Sequence, residues 1–581
     1  MSYEADQQRL QRLMEECFSD ENDCEADDAV DDEVEDGRFE EREENTDTEQ
    51  ELEFDDVESD QESSEERKVN TRLVFIGKDG TIWRKHCKQR KVRRTIKNLV
   101  TQLPGPIGPV RLVKTPLEIF HHFFDQNVLD IIVENTNKYL ATAEANYSRA
   151  TYTRPTNFIE IQALLGILLL SGVKKSNHLN AEDLFKSNGT CPEIFRLTMS
   201  CQRFRILLRY LRFDDIDTRA ERKSLDKLAP IRELFTAVVD NCKKNYSLSH
   251  STTIDEKLEG FRGRCSFRQY IPSKPNKYGI KIYALCDAKM FYTANLEVYV
   301  GAQPEGPFSQ NNSALAVVDR LCEPMKGKGR NLTTDNFFTS TELSELLLRH
   351  KITTVGTIRK NKRALPREFV EGKNRPIGSS MFGFRDDCTL VSYIPKKNKN
   401  VLLISTMHDD DLVNEATGKP QIILDYNATK GGVDTVDQLC ANYNCARNTR
   451  RWQMVVFYSL VNISAINSEV IFHANNPEDR TLRRHFLEDL SFALINNHLK
   501  ARAYSENLPR TMRTRIRELC HLDPEASTSQ EPTEPGRCEL CSSKKNRKTR
   551  FFCKSCKTFM CLEHCIMICE DCFGKNLVCD N

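Results

Sequence analysis

The 581-residue sequence has no run of about 18 apolar residues, the length that a membrane-spanning helix requires. Its longest apolar stretch, Ile161–Val173 (IQALLGILLLSGV), is too short to cross a bilayer and predicts a buried helix. The N-terminus also lacks the apolar core of a secretory signal peptide. We therefore expect an intracellular, soluble protein with no membrane partner.

Basic residues are scarce in one long acidic segment. Between Glu15 and Glu66 there are 28 acidic residues and only two basic ones, Arg38 and Arg42, a local charge of −26. The whole chain carries −1, which leaves +25 on the remainder. Because so acidic a segment cannot bury enough apolar surface to fold, we predict that residues 1–70 are disordered. The basic remainder indicates a polyanion partner, unless the excess is scattered charge that only keeps the protein soluble.

Disulfide bonds are not expected among the 22 cysteines of an intracellular chain, which indicates metal ligands or free thiols instead. Nine cysteines follow Arg537. Seven of them and one histidine form four pairs with two-residue spacers: Cys538/Cys541, Cys553/Cys556, Cys561/His564 and Cys569/Cys572. Eight ligands suffice for two tetrahedral Zn²⁺ ions, without which so small a domain could not fold. The interleaved order suits a cross-brace, in which the first and third pairs hold one ion and the second and fourth pairs the other.

Three aspartates occupy the ends or interiors of elements in the middle of the chain. Residues 252–261, 278–288 and 291–301 are rich in β-branched and aromatic residues, which predicts antiparallel strands, and strand–helix alternation follows up to Lys360. The pattern is typical of a mixed α/β layer with helices on the sheet. Asp255 lies in the first strand, Asp335 ends a later strand and Asp434 begins a helix.

Three converging carboxylates would repel one another unless a divalent cation such as Mg²⁺ neutralised them. Two such ions support phosphoryl transfer by activating a water or hydroxyl and stabilising the leaving oxygen. The spacing of the aspartates alone also allows the simpler interpretation that they are helix caps and surface charges.

Two segments, Phe261–Lys281 and Cys445–Met454, mix basic and aromatic residues. Cations neutralise phosphates and aromatic rings stack on bases, so both segments indicate nucleic-acid contacts. A solvated hairpin with half-buried rings is the alternative for the first segment, and Trp452 in the second either packs in the core or forms a wedge near DNA. The candidate contacts are Arg262, Arg264, Arg268, Lys274, Lys277, Lys281, Arg450, Arg451 and Trp452.

Four motifs, in this order along the chain, resemble the piggyBac family of DDE/D transposases: TIDEKLEGFRGRCSFRQYIPSKPNKYGIKI, TTDNFFTS, VGTIRKNKR and YNATKGGVDTVDQ. The similarity covers nearly everything from about Lys97 to the C-terminus. It implies that Asp255, Asp335 and Asp434 hold two Mg²⁺ ions, for which Mn²⁺ can substitute, and that Asp437 is an auxiliary acid. We add that Gly431 and Gly432 would let the start of the helix approach the ions closely.

The resemblance also implies a multidomain α/β plus α protein. An RNase H-like mixed-sheet core would be interrupted by an insertion domain and flanked by a split helical DNA-binding and dimerisation domain. The predicted boundaries are a disordered acidic tail at 1–70, a basic linker at 71–110, the helical domain at 111–250 and 444–520, the core at 251–360 and 421–443, the insertion at 361–420, a second linker at 521–536 and the cysteine-rich domain at 537–581.

The function that this resemblance implies is cut-and-paste DNA transposition in the nucleus. A homodimer would excise double-stranded DNA at terminal inverted repeats through hairpin ends and integrate it at TTAA. Further candidate DNA contacts are Lys430, Lys544, Lys545 and Arg547, and the last three also fit a nuclear-import signal. The alternatives are a domesticated relative that binds DNA or rearranges a host genome and a RING-like ubiquitin ligase, which would leave the aspartates unexplained.

Overall fold

A computed structural model describes residues 73–87, 99–143, 147, 152–272, 274–372, 374–523, 535–542, 545, 547–553 and 558–566. The acidic tail predicted at 1–70 lies outside these residues. The chain divides into two compact units, Met1–Ile495 and Asn496–Asn581.

The first unit begins, after a short hairpin, with helices that pack around the apolar helix predicted from the sequence. Within the described residues they are α1 (Pro116–Phe120), α2 (Gln126–Thr142), α3 (Phe158–Val173), α4 (Ala181–Leu184), α5 (Ile194–Thr198), α6 (Cys201–Tyr210), α7 (Arg219–Leu225) and α8 (Arg232–Asn245). Helix α3 is buried from Glu160 to Val173, as its composition predicts. Its N-terminus is capped by Asn157, whose side chain accepts a hydrogen bond from the Glu160 amide.

Fifteen strands are described. They are β1 (Val74–Ile76), β2 (Ile82–Arg84), β3 (Gly105–Pro106), β4 (Tyr246–Ser247), β5 (Ser251–Gly260), β6 (Gln269–Tyr270), β7 (Tyr278–Asp287), β8 (Thr293–Val298), β9 (Asn331–Thr334), β10 (Thr353–Thr357), β11 (Ser380–Phe384), β12 (Thr389–Lys396), β13 (Lys399–Ser405), β14 (Gly536–Arg537) and β15 (Lys548–Thr549).

Eleven of these strands form one mixed sheet in the order β1-β2-β11-β12-β13-β10-β9-β5-β7-β6, with β8 also paired to β7. Strand β9 runs parallel to both neighbours, β5 and β10, whereas β5 and β7 are antiparallel. The large mixed sheet confirms the predicted α/β class. The strands of residues 361–420, predicted as an insertion, extend this sheet because β13 pairs with β10.

The prediction that residues 71–110 form a linker is wrong for their described part. Strands β1 and β2 form an antiparallel hairpin, and β2 joins the sheet beside β11 through Arg84 and Phe384. Trp83 is fully buried, and its indole N–H donates to the Ala364 carbonyl at 2.8 Å. The basic composition of the surrounding segment hides this short hairpin, whose two strands have only three residues each.

The remaining helices follow the strands of the sheet and, at the end, cover it. They are α9 (Ala314–Leu321), α10 (Thr341–Arg349), α11 (Arg367–Val370), α12 (Gln421–Thr429), α13 (Gly432–Asn442), α14 (Trp452–Asn475) and α15 (Arg483–Arg502), with α16 (Arg510–Leu519) in the second unit. Short 3₁₀ turns occupy Gly108–Leu112 and Glu323–Met325.

Helix α14 is the central helix of the first unit. It packs against α1, α8, α13 and β5, so helices from distant parts of the chain meet on it. By length and composition alone it could cross a membrane, although its apolar residues are interrupted by polar ones, and 89% of its most apolar window is buried inside the protein. The Asn467 side chain donates to the Thr293 carbonyl and accepts from the Thr293 amide, which locks α14 to β8.

Candidate active site and metal cluster

Asp255 and Asp335 lie side by side on neighbouring parallel strands. The register of β5 and β9 pairs Ser251 with Asn331 and continues to Ile254 with Thr334. The next residue on each strand is therefore one of the two aspartates, on strands spaced about 4.8 Å apart. Both side chains share a face of the sheet, so the predicted convergence of these carboxylates is present.

Backbone amides close by in the chain donate to both carboxylates. The Phe337 and Phe338 amides donate to Asp335 Oδ1 at 3.0 and 3.4 Å. The Glu256 amide donates to Asp255 Oδ1 at 2.7 Å. The acids need no side-chain partner to be held in place.

Burial disfavours ionisation of both acids, and neighbouring carboxylates add to this effect at Asp255. Burial raises the pKa of Asp255 to about 8, with further contributions from the carboxylates of Asp335 and Glu256 and a smaller opposing one from Lys274. Burial likewise raises the pKa of Asp335, against the effect of the two amides and of Arg359. A divalent cation would reverse this balance, because it favours the charged form of each ligand.

Asp434 stands in the first turn of α13, which lies against β5. Its side chain is 66% exposed and lies 3.9 Å from Lys274 Nζ. That ammonium group also donates to the Glu256 carbonyl at 3.1 Å, so Lys274 bridges the strand of Asp255 and the helix of Asp434.

The two glycines before Asp434 differ in surroundings. A Cβ atom on Gly432 would lie 3.0 Å from Thr253 Oγ1 and 3.4 Å from Ala288 Cα, whereas one on Gly431 would meet nothing within 4 Å. Gly432 therefore allows α13 to approach β5 closely. Gly431 is not required for that approach.

A tyrosine that the sequence did not single out lies beside the three acids. The phenol of Tyr426 on α12 hydrogen-bonds to the Thr357 side chain, and burial raises its pKa, as do the charges of Asp335, Asp255 and Asp434. Thr357 follows Gly356, which pairs with Thr334. The β10 threonine is therefore the next neighbour of Asp335 across the sheet, and the hydroxyl of Tyr426 reaches the end of this row.

Asp437 does not join the other acids directly. It lies one turn after Asp434, and its Oδ1 accepts a hydrogen bond from Lys257 Nζ at 2.7 Å. Burial raises the pKa of Asp437, and Lys257 opposes that shift. Lys257 was missed from the sequence, although the two-residue period of a strand places it on the face of Asp255.

The donor set fits a hard divalent cation. Asp255 and Asp335 supply adjacent carboxylates, Asp434 supplies an exposed one, and all the donors are oxygens of the kind that Mg²⁺ and Mn²⁺ prefer. Burial, with a further contribution from the Asp335 carboxylate, raises the pKa of Asp255 to about 8, and a bound cation would favour the charged form instead.

The two basic and aromatic segments meet next to this site. Phe267 and Trp452 contact edge to face with their ring centroids 4.9 Å apart. A Cβ atom on Gly263 would lie 2.9 Å from the Arg450 carbonyl oxygen, so the first segment and the second segment are in close contact. Four of the predicted DNA contacts on these segments are exposed, namely Arg262, Arg264, Lys277 and Arg450. Lys430, after α12, is also exposed.

Other predicted contacts have structural partners instead. Lys281 is 1% exposed and lies over the rings of Tyr283 and Phe337, so its assignment as a DNA contact is corrected: it cannot reach a phosphate from inside the core. Trp452 is buried, which matches the core-packing alternative rather than a wedge.

Two arginines of the set brace the backbone. Arg451 donates to the carbonyls of Leu208, Arg209 and Leu211 at the end of α6. Arg268 donates to the Arg262 and Gly263 carbonyls at 2.8 and 2.9 Å. Both side chains shape the basic surface from within, because their guanidinium groups are occupied by the chain itself.

In the second unit, the first and third ligand pairs come together. The ligand atoms of Cys538, Cys541, Cys561 and His564 all lie within 4.8 Å of one another. The Cys541 and Cys561 sulfur atoms are 3.7 Å apart, and His564 Nδ1 lies 3.4 Å from each of the Cys538 and Cys561 sulfurs. A tetrahedral Zn²⁺ with metal–sulfur distances of about 2.3 Å places its sulfurs roughly 3.8 Å apart, so this Cys₃His set fits the ion.

The second ion of the cross-brace stays a prediction. Cys553 is described, whereas Cys556, Cys569, Cys572 and the candidate DNA contact Lys544 lie outside the described residues. Lys545 is exposed, and Arg547 pairs with Glu563 beside the Cys₃His cluster.

The chain is similar to known transposases and transposase-derived proteins. A family profile described as Transposase IS4 matches residues 115–469. The human PiggyBac transposable element-derived protein 3 is 24% identical over 389 residues, which cover 63% of this chain and 63% of that protein. The human PiggyBac transposable element-derived protein 2 is 22% identical over 380 residues, 58% of each. The chain thus spans about three fifths of the length of these relatives.

A solved structure extends the similarity. The chain resembles the protein in a cryo-EM structure of the piggyBac transposase synaptic complex with hairpin DNA, with a TM-score of 0.73 and 38% identity. The alignment covers 81% of this chain and 100% of that one.

Proposed function

This chain belongs to the piggyBac family of transposases, and we propose that it is a cut-and-paste DNA transposase acting through Asp255, Asp335 and Asp434. The observation that carries the proposal is the register of β5 and β9, which sets two acids next to each other, with the third on a helix against the same strand. Three converging carboxylates in a basic surface suit phosphoryl transfer on DNA.

The three acids would hold two Mg²⁺ ions, which when bound would activate a nucleophile and stabilise the leaving oxygen. In the first step water attacks a phosphorus at the transposon end, the P–O3′ bond breaks and the 3′-hydroxyl leaves with a proton. That hydroxyl then attacks a phosphorus of the opposite strand, where the P–O3′ bond to the flanking DNA breaks and the flanking 3′-hydroxyl leaves with the proton, so a hairpin closes on the transposon end. Attack of water on the hairpin phosphodiester would free the 3′-hydroxyl again, and its attack on a phosphorus at TTAA, with departure of the target strand's 3′-oxygen, would complete integration.

The chain's own residues orient the DNA for these steps. The exposed side chains of Arg262, Arg264 and Lys277 would contact phosphates, and Lys274, 3.9 Å from Asp434, keeps the approach to that acid positive. Arg450, in the adjoining segment, extends the same surface. We assign the Cys₃His cluster to Zn²⁺ and the second unit to binding of transposon ends. A nuclear homodimer is the form in which we expect the protein to act.

The test is cleavage of DNA that carries the element's own inverted repeats. Asp255→Asn, Asp335→Asn and Asp434→Asn should each lower cleavage at least about 100-fold, since a catalytic ligand is lost, while end binding in a gel shift stays near wild type. Asp130→Asn, an exposed acid of α2, is the matched control and should cleave normally. Normal cleavage by any of the three variants would remove that residue from the site.

A domesticated, DNA-binding protein is the second candidate, because both human relatives are described by name as transposable element-derived. It predicts that the wild-type protein binds the same ends and leaves them uncut in Mg²⁺ and in Mn²⁺. The cleavage assay therefore separates the two candidates.

A further inference from the structure

A buried ion cluster joins the two elements that carry Asp255 and Asp434. Lys257 Nζ lies 2.7 Å from Asp437 Oδ1 and 2.9 Å from Glu259 Oε1. The Lys257 side chain is 4% exposed, whereas those of Glu259 and Asp437 are 20% and 30% exposed. The buried end of the cluster is therefore the cation, and the acids lie between it and solvent.

Each of the two residues joined by the cluster is close in sequence to a proposed metal ligand, but the two are far apart in sequence from each other. Lys257 is two residues after Asp255 on β5, and Asp437 is one helical turn after Asp434 on α13. Lys257 and Asp437 are 180 residues apart in the sequence. Their contact thus fixes the position of helix α13 along β5. It also fixes the rotation of α13 about its axis, and both determine where Asp434 lies.

The Lys257 ammonium group has few other acidic groups with which to pair. Two buried thiols, Cys440 of α13 and Cys286 of β7, line the same face. If Asp437 turned toward a metal held by the other acids, the ammonium group would keep Glu259 as its only acidic neighbour at ion-pair distance among the described residues. Turning Asp437 away would therefore break the closest contact that this buried cation makes.

We infer that Lys257 is a positioning residue for Asp434, and that Asp437 acts through its contact with Lys257 rather than as a metal ligand. The inference rests on the proposed function, because Asp434 is taken as a ligand there. This role differs from that of an auxiliary acid in the metal site. Here the Asp437 carboxylate holds helix α13 against strand β5 through its contact with Lys257.

The experiment measures two quantities for each variant. One is the rate of DNA cleavage, and the other is Mn²⁺ binding, detected by electron paramagnetic resonance. Lys257→Met and Asp437→Asn should each lower the cleavage rate about 100-fold, the loss that follows when a reacting group is displaced by about 1 Å. The double variant should be no slower than the slower single variant, because both changes break one contact. Lys257→Arg, which keeps the cation, should recover most of the rate.

Mn²⁺ binding distinguishes a positioning residue from a ligand without using activity. Asp255→Asn and Asp434→Asn should lose the bound-ion signal, and Asp437→Asn should keep the wild-type stoichiometry. Loss of a bound ion in Asp437→Asn, multiplying effects in the double variant, or wild-type cleavage by Lys257→Met would each overturn the inference. Lys289→Met, an exposed lysine after β7, is the control for the loss of a lysine and should behave as wild type.

Thermal melting of each variant identifies a general loss of folding. If Lys257→Met does not fold, Asp437→Asn, which keeps the size of the side chain, decides the inference by its Mn²⁺ stoichiometry. Absence of cleavage by the wild-type protein would count against the proposed function alone, since the Mn²⁺ titration would still show whether Asp437 is a ligand.

Discussion

Gly432 determines how closely the helix of Asp434 lies against the sheet. The space for a Cβ atom there is limited by Thr253 and by the backbone of Ala288. The adjacent hydroxyls of Thr253 and Thr333 bond to Thr429, so the end of α12 is held on the same strands. Small side chains under this junction keep the third acid close to the other two.

Gly432→Ala should displace the start of α13 by a few tenths of an ångström and lower cleavage by about tenfold, because catalytic ligands tolerate little displacement. The neighbouring Gly431→Ala has open space for its methyl group and should stay within about twofold of wild type. Rates measured on one inverted-repeat substrate compare the two variants. Equal rates for both would show that close packing at Gly432 is not required.

Individual charges also mark the limit of what the sequence predicts. The sequence separates basic from acidic segments, but it does not say which face a lysine occupies. Lys281 belongs to a strand that is buried on both faces, and Lys257 is enclosed by a helix that arrives 180 residues later. Both were therefore misjudged or missed, whereas Asp255 and Asp335 were found because each has a motif of its own.

At the level of elements, the helical layer contains a buried ion pair that holds two helices together. Glu160 of α3 accepts hydrogen bonds from Arg203 of α6 at 2.7 and 3.0 Å, and from Arg154 and Thr156 at 2.8 Å. The side chains of Glu160 and Arg203 are 3% and 6% exposed. Burial alone would raise the pKa of Glu160, but Arg203, Arg154 and Thr156 together hold it below its ordinary value.

Glu160→Gln should lower the free energy of unfolding by about 3–5 kcal/mol, because it leaves the buried Arg203 without a countercharge. Glu488→Gln removes a partly exposed carboxylate that pairs with Lys174 and should cost about 1 kcal/mol or less. Denaturant titration of the two variants compares the pairs. Similar losses in both would contradict a special role for burial at Glu160.

The Glu160–Arg203 pair should also make the stability of the protein depend on pH. A carboxylate whose pKa is lower in the folded state stabilises the protein above its unfolded pKa, and that contribution is lost as the pH falls through the folded value. The difference in stability between wild type and Glu160→Gln should therefore be full above about pH 4.5 and shrink at lower pH. Melting curves from pH 7 to pH 3 measure it, and a constant difference would contradict the assignment.

The predicted elements follow from local patterns. Alternation and β-branched residues identified β5, β7 and β8, and the apolar composition of Ile161–Val173 identified α3. The pairing of β13 with β10, which merges residues 361–420 into the sheet, has no local signal. Neither has the hairpin of β1 and β2, whose strands are stable only beside β11.

At the scale of the whole molecule, the second unit should depend on zinc and the first should not. Cys561→Ser removes a ligand of the Cys₃His cluster and should release the Zn²⁺ of that cluster and unfold the region after Gly536. Cys565→Ser, a neighbouring cysteine outside the cluster, should keep the wild-type zinc content.

Metal analysis and limited proteolysis of both variants provide the measurement. The thermal transition of the first unit should persist in each variant, and binding to inverted-repeat DNA should weaken only in Cys561→Ser. Wild-type zinc content in Cys561→Ser would contradict the ligand assignment.

Helix α14 is synthesised long after several of the segments that it contacts. The Asn475 side chain donates to the Val110 and Val113 carbonyls, 365 and 362 residues earlier in the chain. On the ribosome, α1 and α8 therefore emerge long before the helix that covers their apolar faces, and Asp255 and Asp335 emerge long before Asp434. A chain cut short before about Asn475 would lack its central helix, and one that ends before Asp434 would also lack the third acid. Such truncated products would be unfolded substrates for chaperones and proteases, so only a ribosome that has passed this point can release a chain that folds and carries all three acids of the proposed site.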